Sequence, residues 1–151
     1  MTHPLYALVQ EAFAPLGILA RATDHFKPRQ GQTDMALAVA DVVAHGGSLV
    51  VEAGTGVGKT FAYLVPALLS GERVLLSTAT KALQDQLFAR DLPRLVQALN
   101  LPIRLALLKG RASYLCTHRM EMARRDTAMT DRQTMHLLSP MNLLYRYYEY
   151  Q

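Results

Sequence analysis

Apolar residues recur at helical spacing in several separate stretches of the chain. Near the start, apolar residues three or four apart predict a helix over residues 4–14, with Thr2 as a cap and Gly17 as a stop. The following polar stretch contains Pro28 and Gly31 and is predicted to be a loop. Further helices are predicted over residues 35–45, 59–71, 80–92, 95–99, 113–125 and 130–138, with Pro66 as a kink and Pro93 as an interruption.

Three short apolar runs have a different pattern. They are SLVVEA at 48–53, RVLLST at 73–78 and IRLALL at 103–108. Each is too short for a helix and is apolar on both faces, as strands buried in a parallel sheet are. Because predicted strands and helices alternate, the pattern predicts an α/β fold with a parallel sheet and helical N-terminal and C-terminal extensions.

Composition narrows the class of protein only slightly. The 151 residues are 50% hydrophobic and 19% charged, which is typical of one soluble globular domain. No apolar run is long enough to span a bilayer, and the first residues do not resemble an export signal, so a cytoplasmic protein without membrane contact is expected. The net charge of +4 modestly favours polyanions. The single cysteine, Cys116, excludes a disulfide within the chain.

The stretch VVEAGTGVGKT, residues 50–60, carries the clearest chemistry. Glycines let backbone N–H groups wrap a polyphosphate, and a helix that starts near Lys59 directs its positive end at the same point. Lys59 could reach the outer phosphates, and the Thr60 hydroxyl could bind Mg²⁺. The alternatives are an ordinary glycine-rich turn and a Rossmann fingerprint, which would need glycine at position 59. The predicted phosphate-binding residues are Ala53, Gly54, Thr55, Gly56, Val57, Gly58, Lys59 and Thr60, with Ala53 where the P-loop pattern has its first glycine.

Four blocks together resemble a known family. FKPRQGQTDMA (26–36), VVEAGTGVGKT (50–60), STATKALQDQL (77–87) and LLKGRASYLC (107–116) are similar to the DinG and YoaA helicases, in the XPD-like branch of superfamily 2. The resemblance covers roughly residues 15–125 and implies an ATP- and Mg²⁺-dependent DNA helicase that acts on single-stranded or forked DNA in repair and replication. It divides the chain into a helical extension (1–25), a partial RecA-like ATP-binding domain (26–112), an incomplete iron–sulfur region (113–138) and a tail outside the resemblance (139–151).

The resemblance also assigns roles to residues outside the P-loop. It implies that Gln32 reads adenine, with Arg29 orienting Gln32 or a phosphate, although a solvated helix start is the alternative. Thr78, Thr80 and Lys81 would contact single-stranded DNA, or the threonines would only cap a helix. Cys116 corresponds to the first ligand of the family's [4Fe-4S] cluster, which is not expected here because its other ligands are absent. A lone buried thiol is the alternative for this residue.

Two parts of the helicase mechanism are not found in the sequence. The family's D-E-A-H carboxylate and its second lobe are missing, so the chain is expected to be truncated, to hydrolyse ATP poorly and to be unable to unwind DNA by itself. A sheet without the strand that flanks the P-loop strand would be marginally stable. A remnant that only binds nucleotide and a small-molecule P-loop kinase are the alternatives. The sequence leaves the oligomeric state open.

Overall fold

A computed structural model describes residues 3–22, 26–27 and 29–125 of the chain. The chain divides into two compact units, Met1–Leu105 and Ala106–Gln151. In the first unit, the described part forms α1 (Pro4–Ala12), α2 (Ile18–Ala22), α3 (Gln30–His45), α4 (Lys59–Leu69), α5 (Lys81–Gln86), a π-helical turn (Leu87–Asp91) and α6 (Leu92–Leu99). In the second unit, it forms a 3₁₀ turn (Arg111–Ser113) and α7 (Thr117–Arg125).

The core of the first unit lies around α4. This helix packs chiefly against α3 and also contacts α1 and α6. Leu64 and Val65 of α4 are fully buried, together with Val9 of α1 and Leu95 of α6. Burial of these apolar side chains fixes α4 in place, and the first residues of α4 are the predicted phosphate-binding residues.

Helices α1 and α3 confirm two predictions and shift their boundaries. His3, rather than Thr2, caps α1, because its Nδ1 accepts the Leu5 N–H at 3.2 Å. Helix α3 begins at Gln30, five residues before the start predicted at position 35. The first turn of α3 carries polar side chains, so the spacing of apolar residues does not indicate a helix there. His45 ends α3 as predicted, with Gly46 at φ 79° as its C-cap.

The helical run from Lys81 to Leu99 is continuous, whereas the sequence predicted an interruption at Pro93. Proline has no N–H and its ring clashes with the carbonyl four residues earlier, so a regular α-helix is strained there. Here Pro93 occupies the first turn of α6, and the five residues before α6 form the wider π-helical turn. A wider turn at this point accommodates the proline without ending the helix.

The predicted α/β fold with a parallel sheet is wrong. The segments 48–53, 73–78 and 103–108 contain no strand, and no sheet is present within the residues that the structure describes. Val50 is 97% exposed and Leu75 is 92% exposed, so these apolar side chains are not buried as sheet residues would be. An apolar run of β-formers favours a strand locally, but a strand exists only when a partner supplies its hydrogen bonds.

Two predictions concern residues that are not described. The helix over 130–138 and the tail at 139–151 both lie outside the described part of the second unit.

Helix α7 lies inside the helix predicted over 113–125. Across the described ranges, none of the helices combines the length and the apolar character that a bilayer crossing requires.

Candidate nucleotide-binding site

The glycine-rich stretch forms a turn that leads directly into α4. Gly56 and Gly58 both have positive φ, at 83° and 89°, a backbone region that side chains with a Cβ rarely adopt. Gly58 is the N-cap of α4 and, lacking a side chain, leaves the N–H groups of the first turn without a side-chain acceptor. Lys59 and Thr60 are the first two residues of the helix. The sequence therefore builds a turn of free N–H groups at the positive end of a helix.

The Lys59 side chain folds back over this turn. Its Nζ donates to the carbonyl oxygens of Ala53 at 2.6 Å and Gly54 at 3.0 Å. These two bonds hold the ammonium group beside the first residues of the turn. An anion placed on the turn would meet this charge together with the free N–H groups of α4.

Gln32 connects α3 to the same turn. Its side chain is only 5% exposed, and its Nε2 donates to the Gly58 carbonyl at 2.9 Å. The helix start therefore depends on a side chain from a different helix, 26 residues earlier in the sequence. Arg29 is the N-cap of α3, and a Cβ placed on Gly56 would lie 3.9 Å from its Nη1. The structure thus brings the four predicted residues Arg29, Gln32, Gly56 and Gly58 together.

A cleft of about 420 Å³ opens beside the turn, on the side of Gln32. This volume falls in the range of roughly 300–1,000 Å³ that is usual for small-molecule sites. Four of its lining side chains are cationic, and one, Asp91, is a carboxylate. The lining residues are Phe26, Lys27, Arg29, Gln32, Val57, Gly58, Thr60, Phe61, Gln86, Arg90, Asp91 and Arg94.

The far wall of the cleft is built on the π-helical turn, which sequence reasoning missed. Asp91 is 5% exposed. Its carboxylate accepts hydrogen bonds from Nε2 of Gln86 at 2.8 Å and from Nε of Arg90 at 2.9 Å. These charge-assisted bonds offset the cost of burying the carboxylate. Arg94 follows one turn later on α6. No local sequence pattern predicts this wall, because the burial of Asp91 depends on contacts between separate helices.

Tyr63 lies one helical turn after Thr60 on α4. Burial raises the pKa of its phenol, hydrogen bonding with the Thr60 side chain opposes that shift, and the nearby Asp91 carboxylate adds to it. The net pKa is above the ordinary value. Thr60, the predicted Mg²⁺ ligand, therefore lies beside Tyr63 and lines the same cleft as the buried Asp91 carboxylate. Its single hydroxyl fits Mg²⁺, which usually keeps several waters and phosphate oxygens beside few protein ligands.

The predicted DNA-contacting residues lie together at the start of α5. Thr80 caps α5, since its Oγ1 accepts the Leu83 N–H at 3.3 Å, and the Thr78 hydroxyl donates to the Thr80 carbonyl at 3.3 Å. The capping alternative is therefore confirmed for Thr80. Lys81 is exposed at the first position of the helix. A DNA contact by these residues stays a prediction.

Cys116 belongs to the second unit, where its thiol is exposed just before α7, so the alternative of a buried thiol is wrong. Within the described ranges, no three His, Cys, Asp or Glu side chains are grouped so that they could hold a metal ion. One thiolate does not fit a [4Fe-4S] cluster, which needs four ligands. In the same unit, the Lys109 N–H donates to the Tyr114 hydroxyl at 2.8 Å.

A glycine turn whose lysine and threonine open a helix is the P-loop arrangement. The sequence matches the DEAD/DEAH box helicase family over residues 33–138, and the chain belongs to this family. It is 56% identical to the ATP-dependent DNA helicase YoaA of Escherichia coli K12 over 109 residues, which are 72% of this chain and 17% of that protein. This confirms the resemblance found in the sequence.

Two further relatives are similar over comparable stretches. The ATP-dependent DNA helicase YoaA of Haemophilus influenzae Rd is 46% identical over 131 residues, or 87% of this chain and 20% of the relative. The ATP-dependent helicase DinG of Mycobacterium tuberculosis H37Rv is 53% identical over 100 residues, which are 61% of this chain and 15% of the relative. The chain therefore spans a fifth or less of the length of these relatives.

Proposed function

We propose that this chain binds Mg²⁺–ATP through residues 53–60 and supplies the ATP-binding part of a DNA helicase. The observation that carries this proposal is the start of α4, where Gly58, Lys59 and Thr60 follow a positive-φ turn that is held by the buried Gln32. The names of the relatives, ATP-dependent DNA helicases, support the same ligand and the same class of reaction.

Each residue of the turn has a separate task in this proposal. Backbone N–H groups of residues 54–60 bind phosphate oxygens, and Lys59 exchanges its two carbonyl partners for the outer phosphates. The Thr60 hydroxyl holds Mg²⁺, which would neutralise phosphate charge when bound. Gln32 has a second N–H and a carbonyl oxygen beyond its bond to Gly58, and these suit the polar edge of adenine. Arg29 lies close enough to Gly56 to orient Gln32 or to contact a phosphate.

Efficient hydrolysis is not part of the proposal. Hydrolysis needs a carboxylate that positions Mg²⁺ and water, and usually an arginine that stabilises the transition state. Asp91 is the carboxylate that lines the cleft, and each of its two oxygens already accepts a hydrogen bond, one from Gln86 and one from Arg90. We therefore expect the chain to bind ATP, to turn it over poorly and not to unwind DNA by itself.

Contact with single-stranded DNA is the second part of the proposal. The Thr80 oxygen accepts the Leu83 N–H, which leaves its O–H able to donate to a phosphate oxygen. Lys81 is exposed beside it at the positive end of a helix. Contacts of this type recognise the backbone and not the bases, so we expect binding without sequence preference.

The proposal is tested by titrating the chain with ATP and ADP in the presence and absence of Mg²⁺, using calorimetry. We expect Mg²⁺-dependent binding that Lys59→Ala weakens by at least tenfold, because about 1.4 kcal/mol of contact energy corresponds to a factor of ten. Absence of Mg²⁺-dependent binding by the folded chain would overturn the proposal. Hydrolysis stimulated by single-stranded DNA, and lost in Lys59→Ala, would contradict the expectation of poor turnover.

A further inference from the structure

The cleft beside the P-loop has a second wall that the proposed ATP site does not use. This wall is formed by Gln86, Arg90, Asp91 and Arg94, which lie on the end of α5, the π-helical turn and α6. The wall lines the same cleft as Gln32, Gly58, Thr60 and Phe61. It is therefore placed to contact a ligand that the P-loop holds by its phosphates.

The lining of the cleft indicates which part of a nucleotide it would take. Val57, Gly58 and Thr60 line it, whereas Lys59, which marks the site of the outer phosphates, is not among the lining residues. Two aromatic rings, Phe26 and Phe61, and the Gln32 carboxamide line the same space. Flat apolar surfaces with one convergent amide suit a base and its sugar better than a triphosphate.

The charge of the wall is arranged for a ligand. Asp91 is buried and binds Arg90 through Nε, while the Arg90 side chain remains 54% exposed. The buried carboxylate therefore holds Nε of Arg90, while the rest of this guanidinium group remains open to a ligand in the cleft. Within the described ranges, Arg94, Lys27 and Arg29 have no carboxylate within ion-pair distance. Cations without a carboxylate partner around a cleft favour an electron-rich or anionic ligand.

We propose that Arg90 and Arg94 bind the nucleoside half of the nucleotide. A guanidinium plane can stack on a purine and can donate to ribose hydroxyls. This inference rests on the proposed function, because it needs a nucleotide whose phosphates are held by residues 53–60. It adds a base- and sugar-binding wall to that site.

The test separates the nucleoside from the phosphates by using two ligands. ATP and inorganic tripolyphosphate, each with Mg²⁺, are titrated into the full chain and into Arg90→Gln and Arg94→Gln. Arg73→Gln is the matched control, since Arg73 is an exposed arginine of the same unit and does not line the cleft. Both substituted positions on the wall are exposed, and circular dichroism checks that each variant keeps its helices.

We expect each of the two wall variants to weaken ATP binding roughly two- to fivefold relative to Arg73→Gln, the range for exposed charged contacts. Tripolyphosphate binding should not change. Equal ATP affinity in the wall variants and the control would overturn the inference while leaving the proposed function intact. An equal loss for both ligands would also overturn it, because the wall would then supply charge alone. If Lys59→Ala binds ATP as well as the unaltered chain does, the proposed function fails, and this inference fails with it.

Discussion

The Gln32 carboxamide and the Gly58 backbone form a contact that only glycine allows. Nε2 of Gln32 donates to the Gly58 carbonyl at 2.9 Å, and a Cβ on Gly58 would collide with the same amide group. Gly58 also has a φ of 89°, which disfavours any other residue. The contact couples the start of α4 to α3, so the shape of the phosphate-binding turn depends on a residue from another helix.

Gly58→Ala is therefore expected to lower the free energy of unfolding by about 1–3 kcal/mol and to weaken ATP binding. Gly71→Ala is the matched control. Gly71 has a φ of 73°, but a Cβ there would meet nothing within 4 Å, so this variant carries the backbone strain without the collision. Urea denaturation of both variants measures the difference. Equal destabilisation would show that the collision with Gln32 contributes nothing.

Gln32→Met tests the same contact from the other side. Methionine keeps the length of the side chain but removes the donor, which leaves the Gly58 carbonyl without this partner. We expect a loss of about 0.5–1.5 kcal/mol in unfolding free energy, the net contribution of one hydrogen bond, because the Gly58 carbonyl still accepts the Ala62 N–H at 3.3 Å. Gln30→Met on the same helix removes an exposed bond to Asp34 and should change stability by less than about 0.5 kcal/mol. Urea denaturation compares the two variants, and equal losses would contradict the coupling.

The P-loop could be predicted from the sequence, because its chemistry depends on residue types at fixed spacing. Lys59 and Thr60 open α4 as the motif requires, and Gln32 lies against Gly58. The sheet could not be predicted correctly, because strand pairing is a property of distant segments and not of a local run such as 48–53. The π-helical wall was also missed. Its formation depends on how Pro93 is accommodated and on the burial of Asp91, and neither has a local signature.

The small helical core should determine the stability of the first unit. Leu64 on α4 is fully buried, whereas Leu75 is 92% exposed. Leu64→Ala should lower the free energy of unfolding by about 2–5 kcal/mol, because it removes buried methyl groups and leaves a cavity. Leu75→Ala should change it by less than about 0.5 kcal/mol. Chemical denaturation followed by circular dichroism measures both. A large loss in Leu75→Ala would mean that segment 73–78 is buried in solution.

The phenol of Tyr63 should make the free energy of unfolding depend on pH in the alkaline range. Burial raises its pKa above the ordinary value of 10.0, and the Asp91 carboxylate adds to the shift against the opposing hydrogen bond from Thr60. Between the unfolded and folded pKa values, the unfolded chain has lost a proton that the folded chain keeps. The contribution of Tyr63 is therefore complete below the unfolded pKa and is lost as the pH rises through the folded pKa. Tyr63→Phe should show a shallower decline in unfolding free energy above about pH 10 than the unaltered chain does.

Tyr6→Phe on α1 removes a phenol elsewhere and serves as the control in urea denaturation at pH 8 to 11. A decline in Tyr63→Phe as steep as in Tyr6→Phe would show that the Tyr63 phenol is as easily ionised in the folded chain as in the unfolded one.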